Sequence, residues 1–159
     1  MSRESATAFA PASVGNVGIG FDILGFAVDA LGDRVRATRS KTPGVRITGC
    51  SGVVAEIPLE AEKNTAGRSV IALAVAAKPQ FGIELHIEKG IPLGSGLGGS
   101  AASAVGAVVA GNALLDQPFA IDGHQFSLGC SIGFAAFPYE GATATSIFDR
   151  ADYALYHVK

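Results

Sequence analysis

The chain has no tryptophan, only two cysteines, and few charges: 16% of its 159 residues are Asp, Glu, Lys or Arg. Each scarcity excludes something. A formal net charge of −2 with no run of Lys or Arg argues against a nucleic-acid binder, which needs a basic surface to displace counterions from phosphates. Nor do aromatic residues interleave with basic ones. Cys50 and Cys130 lack the CxxC or His spacing of a zinc site, so both are expected as small buried hydrophobes. The opening MSRESATAFAPASVG holds one early arginine but no continuous apolar core of signal-peptide length, which places the chain in the cytoplasm.

Glycine is abundant instead. It fills 21 of the 159 positions, nearly twice the ~7% of average usage. The glycines concentrate at Gly15, Gly18, Gly20 and Gly25 and again at Gly90, Gly94, Gly96, Gly98 and Gly99, without the triplet period of collagen. With 48% apolar residues and a mean hydropathy of +0.36, the chain has enough apolar surface for a packed core, so disorder is excluded as a general description.

From Gly90 to Leu115 no residue is charged, which raises the question of a membrane span. Pro92 and the glycines break the helical pattern in its first ten residues. What remains is about 16 residues of Ala, Gly, Ser and Val, which insert weakly. The pattern therefore predicts a glycine-rich loop over 90–99 feeding a helix over 100–115, whose small side chains pack closely in a soluble domain.

Periodicity supplies other elements. Ile83, Leu85 and Ile87 alternate with Glu84, His86 and Glu88, a strand with one wet face on which His86 is a surface residue. Over 64–77, Val70, Leu73, Ala74 and Ala77 form a helical stripe that Pro79 ends. Residues 46–57 form a further strand region. Beyond Phe119, the alternation of Phe126, Leu128, Cys130, Ile132 and Phe134 predicts a long strand over 124–137. After a turn at 138–141, Thr145 caps a helix carrying Ile147, Phe148, Ala151, Leu155 and Val158 on one side.

The sharpest chemical signal is PLGSGLGGSAAS, lying between a strand and a helix. Its residues are Pro92, Leu93, Gly94, Ser95, Gly96, Leu97, Gly98, Gly99, Ser100, Ala101, Ala102 and Ser103. The glycines let the backbone take left-handed angles so that successive N–H groups face one concavity. The helix start adds unsatisfied N–H groups and about half a positive charge. Together these suit a di- or triphosphate, and the Ser100 hydroxyl is placed to ligate Mg²⁺ held on it, with Ser95 and Ser103 as secondary candidates. Gly94, Gly96 and Gly99 also fit GxGxxG, but that fingerprint wants an acidic residue about 20 positions on. Glu140 lies 41 residues beyond Gly99. A Walker loop needs a lysine that Gly99-Ser100 lacks. The remaining alternative is a loop whose glycines serve only tight turns and helix packing.

A second signal is APASVGNVGIGFDILGFAVD, residues 10–29. A loop this rich in glycine can present the Asn16 amide and the Asp22 carboxylate to a small polar substrate, the carboxylate pairing an ammonium. Turn and cap roles for both residues stand beside that reading.

Three segments, PASVGNVGIGFDILGFAVD, EKNTAG at 62–67 and GIPLGSGLGGSAASAVGAVVAGNALLDQP at 90–118, closely resemble the bacterial homoserine kinase family of the GHMP kinase superfamily. The resemblance covers about residues 1–118. It implies an α+β fold, the N-terminal part of a GHMP-kinase-like fold, with a lysine-free phosphate loop. It further implies transfer of the ATP γ-phosphate to the hydroxyl of L-homoserine in threonine biosynthesis, with Mg²⁺ as cofactor and a homodimer as the assembly. On that likeness the segment from Pro92 to Ser103 binds ATP phosphates, Ser100 serves the metal, and Asn64 and Thr65 lie by the adenine. Asn16 and Asp22 contact homoserine, and Asp22 is the candidate general base.

The resemblance stops near Phe119. The family's downstream acidic metal ligand, its His-x-Asp-Asn-Val-Ala-Pro stretch, its substrate-carboxylate arginines and its C-terminal glycine motif are absent from this sequence. Residues 115–159 instead resemble the last quarter of a GGDEF-type diguanylate cyclase domain, through SIGFAAFP and RADYALYHVK. That domain's Gly-Gly-Asp/Glu-Glu-Phe signature is missing, so no cyclic-dinucleotide synthesis is expected, and Lys159 is expected to be solvated. The expected organisation is a homoserine-kinase-like region over 1–118 and a strand–helix tail over 119–159, joined at LLDQPF. A chain of this make-up is either an ATP-dependent phosphotransferase or a non-catalytic fusion that keeps at most nucleotide binding.

Overall fold

The structure, a computed structural model, describes residues 3–15, 25–54, 56–115, 119–121, 124–126 and 143. The chain divides into two compact units, Met1–Gln117 and Pro118–Lys159. In the first unit the elements run β1 (Ser5–Val14), β2 (Phe26–Ser40), β3 (Val45–Gly52), a short 3-10 turn (Ala61–Lys63), α1 (Thr65–Ala77), β4 (Gly82–Lys89) and α2 (Gly99–Leu115).

The four strands form one sheet in the order β1-β2-β4-β3. The β1/β2 and β2/β4 pairs are antiparallel and β3/β4 is parallel. Parallel neighbours need a crossover, which α1 supplies. Alternation selects the faces: Val35 and Ala37 on β2 and Ile83, Leu85 and Ile87 on β4 are buried, while Arg34, Arg36, His86 and Glu88 between them are exposed. The apolar face packs against Ala66 and Val70 of α1 and Ala107, Ala110 and Leu114 of α2. This is the expected α+β architecture, with both helices on one face of a mixed sheet.

Small residues let α2 sit close. A Cβ added at Gly106 would stand 3.2 Å from Val35 Cγ2, and one at Gly111 would stand 3.3 Å from Leu73 Cδ2. The helix begins at Gly99, within one residue of the expected start. Helix α1 also ends as expected: Lys78 takes the left-handed C-cap conformation at φ 48° and donates its N–H to Ala74 O, with Pro79 just beyond. No helix among the described residues is long and apolar enough to cross a membrane.

Three expectations need correction. The strand region expected over 46–57 ends at Gly52, where φ is +95° and a Cβ would meet Lys89 O at 2.1 Å; a chain turning that tightly against β4 cannot continue the ladder. Cys50, on that same edge strand, is half-buried and outside both apolar clusters. Its thiol donates to Val54 O at 3.1 Å. The segment over 10–29 is also not one loop, since β1 extends to Val14 and β2 starts at Phe26. Pro11 is tolerated in β1 because that strand is an edge, where a missing N–H costs no ladder bond.

In the second unit, β5 (Phe119–Ile121) pairs antiparallel with β6 (His124–Phe126). The expected long strand from His124 coincides with β6 at its start. Its remainder, Cys130, the turn over 138–141, the Thr145 helix and Lys159 lie outside the described residues.

Candidate functional site

The loop between β4 and α2 lines a cavity of about 370 Å³ together with Lys89, Ile91 and the first residues of α2. That volume is within the ~300–1,000 Å³ of small-molecule sites. Gly94, Gly96 and Gly98 have φ of 68°, 73° and 68°, the left-handed region that glycine enters without steric cost. Every second residue thus turns its peptide plane the way an anion-binding concavity requires. At Gly98 space is short as well, since a Cβ would meet Ser13 Oγ at 2.5 Å.

The loop is tied down on three sides. Ser13 on β1 donates its N–H to Leu97 O at 3.0 Å. Beneath, Ala10, Ala12, Ile91 and Ala102 form a small buried cluster against which Leu97 and Val28 pack. The Gly98 carbonyl accepts the first intrahelical bond of α2, from Ala102 N at 2.9 Å. The N–H groups ahead of that bond, on Gly99, Ser100 and Ala101, have no intrahelical acceptor, and these three residues line the cavity.

The residues singled out from sequence divide accordingly. Pro92 through Ala101 line the cavity, with Ser100 exposed at the helix start. Ala102 and Ser103 are buried behind it and do not line it; the Ser103 hydroxyl is turned into the interior. Asn64 caps α1, its Oδ1 accepting from Ala66 N at 2.9 Å and its Nδ2 donating to Pro58 O at 2.9 Å. Those bonds use Oδ1 and one of the two N–H groups of Nδ2. Thr65 is exposed and donates from Oγ1 to Ser100 O at 3.3 Å, so the starts of α1 and α2 meet beside the loop. Asn16 and Asp22 lie outside the described residues. Among the described residues no group of three His, Cys, Asp or Glu could hold a metal. A Mg²⁺ carried on nucleotide phosphates needs only one or two protein ligands, a demand that an exposed Ser100 hydroxyl suits.

Asp33 and Lys89 were not read from the sequence. Both are buried, at 0% and 4% exposure, and their side chains form an ion pair. Lys89 Nζ also donates to Gly99 O at 3.1 Å and Ser103 Oγ at 2.9 Å, and Ser103 Oγ donates to Asp33 Oδ2 at 2.6 Å. Asp33 Oδ1 accepts from Gly90 N at 3.0 Å and Ile91 N at 3.2 Å. Period 2 was the available signal: Lys89 continues the inward phase of Ile83, Leu85 and Ile87, and Asp33 that of Val35 and Ala37. Such a pair is costly to break on one side, about 3–5 kcal/mol, because the other charge stays buried.

The geometry agrees with known proteins. Residues 64–136 match the GHMP kinases N terminal domain, a match that runs past the position near 118 where the motif likeness ends. A homoserine kinase of Xanthomonas campestris pv. campestris (strain B100) is 55% identical over 119 residues, covering 75% of this chain and 37% of that protein. One of Xylella fastidiosa (strain M12) is 48% identical over 140 residues, covering 83% and 44%. The crystal structure of homoserine kinase from Cytophaga hutchinsonii superposes with a TM-score of 0.68 at 48% identity, covering 72% of this chain and 36% of the other. The chain thus spans less than half the length of these relatives. Over its N-terminal region it resembles homoserine kinase and carries the fold of the GHMP kinases.

Proposed function

We propose that this chain holds the nucleotide site of an ATP-dependent homoserine kinase, which transfers the γ-phosphoryl group to the hydroxyl of L-homoserine. The carrying observation is the β4–α2 loop: three left-handed glycines and an uncapped helix start, around a cavity, in a chain about half identical to homoserine kinases. Phosphoryl transfer asks the protein for positioning and charge neutralisation more than covalent chemistry. The loop N–H groups and the α2 terminus hold the triphosphate, and Asn64 and Thr65 stand on the adenine side. Mg²⁺, when bound, would supply neutralisation of phosphate charge, and the Ser100 hydroxyl is the protein group that would hold it. Asn16 and Asp22 bind homoserine in this reading, Asp22 pairing its ammonium and standing as candidate base. The reading carries with it a cytoplasmic location and a homodimer.

Titration calorimetry with MgATP tests the site; absence of binding to a folded sample would refute it. Coupled detection of ADP release, with and without L-homoserine, tests turnover against a Ser100→Ala control. A second reading, nucleotide binding without turnover, rests on the same loop and cavity alone. Binding without homoserine-dependent ADP release would select it.

A further inference from the structure

We propose that Asp33, Lys89 and Ser103 form a buried brace that sets the shape of the phosphate loop, and that Lys89 is a positioning residue that does not grip phosphate. The proposal deepens the nucleotide reading above and rests on it for its ligand. A lysine lining the wall of a phosphate cavity invites the opposite conclusion. Hydrogen-bond capacity decides against it: an ammonium has three donors, and Lys89 spends them on Asp33 Oδ2, Gly99 O and Ser103 Oγ. Its charge is also cancelled where it stands, by a carboxylate with 0% exposure.

What these bonds do is join the two ends of the loop. Asp33 Oδ1 holds Gly90 N and Ile91 N at the loop's entry. Lys89 holds the Gly99 carbonyl at its exit, and Ser103, one turn along α2, closes the network onto Asp33 Oδ2. With the Gly99 carbonyl drawn inward to Lys89, the polarity at the loop's exit is settled: a carbonyl on the protein side leaves N–H groups for the cavity. Asp33 on β2 thereby aligns an anion site that it does not touch.

Ser103 separates the two roles, because it is outside the cavity and uncharged. If Lys89 braces, Ser103→Ala weakens MgATP and MgADP binding roughly tenfold, the loss of one hydrogen bond to a charged group, and leaves adenosine affinity unchanged. Ser103→Thr, which keeps the hydroxyl, restores most of it. If Lys89 grips phosphate, Ser103→Ala frees a donor and binding is unchanged or tighter, which would overturn the proposal. Equal losses for adenosine and MgATP would overturn it too, as general destabilisation. Amide exchange without nucleotide gives a second readout: Ser103→Ala speeds exchange at Gly94–Gly99 while Val35 and Leu85 stay protected, and unchanged loop exchange refutes the brace. Should the wild-type chain bind no MgATP, the nucleotide reading fails and the exchange result still judges the brace.

Discussion

Gly90 offers a severe test of how the strands beneath the loop meet. It is not in the left-handed region, so backbone conformation alone would admit alanine there. Space would not: a Cβ would lie 2.0 Å from Gly32 O and 3.1 Å from Gly32 C. The obstacle is the backbone of β2, which is pinned by pairing with β1 through Pro11↔Gly32 and with β4 from Arg34 onward. No rotamer change relieves it. Overpacking against yielding side chains costs about 1–3 kcal/mol, so Gly90→Ala is expected at about 3 kcal/mol or more. At roughly 4–8 °C per kcal/mol for a domain near this size, the melting midpoint of the Met1–Gln117 unit falls by about 12–24 °C. Thermal melts, with amide exchange at Leu85 and Ile87 to follow that unit, provide the assay. Gly94→Ala is the control, since φ is +68° but nothing lies within 4 Å of its Cβ; only left-handed strain of about 1–2 kcal/mol applies. A Gly90→Ala midpoint within about 3 °C of wild type, or one no lower than that of Gly94→Ala, would refute the close approach of β2 and β4.

Leu114 is 0% exposed at the end of α2, and Leu114→Ala should cost about 2–5 kcal/mol in urea unfolding. Asn64→Ala removes the α1 cap and the bond to Pro58 O together; about 1–2 kcal/mol is expected, and an unchanged midpoint would deny the cap. Burial pushes the Cys50 thiol up from its ordinary value, against a smaller lowering by Lys89. A raised thiol is protonated at neutral pH, so in a Cys130→Ser background maleimide labelling should be slow at pH 7 and still rising at pH 9. A rate plateau below about pH 8 is the contrary result.

Much of the fold was legible because its signals are local. The alternation of Ile83, Leu85 and Ile87 marks β4 without reference to any other strand, and Pro79 marks the end of α1 within one segment, although the capping role of Asn64 at its start was not read. The glycine loop was legible for the same reason, as positive φ is a property that glycine alone carries cheaply. β1 and β2 were harder to see. Pro11 interrupts one, and the other bulges between Val28 and Gly32, so neither holds period 2 long enough to stand out beside the glycines of residues 15–25. Ser103 was read as a ligand candidate from its place near the loop; it stands four residues past Gly99, about one turn along α2, on the face that meets Lys89 and Asp33.

The sequence by itself determined where a glycine-rich loop meets a helix start, the place proposed here for phosphate, because backbone permissiveness, a helix start and absence of charge are written in consecutive residues. Only the tertiary structure decided what holds that loop in shape. Asp33, Lys89 and Ser103 are 56 and 14 residues apart along the chain, and nothing local marks them as partners. Pairing of β2 with β4, and the packing of α2 across them, brings a carboxylate and an ammonium together in an apolar interior. There each needs the other, since neither charge could remain buried alone.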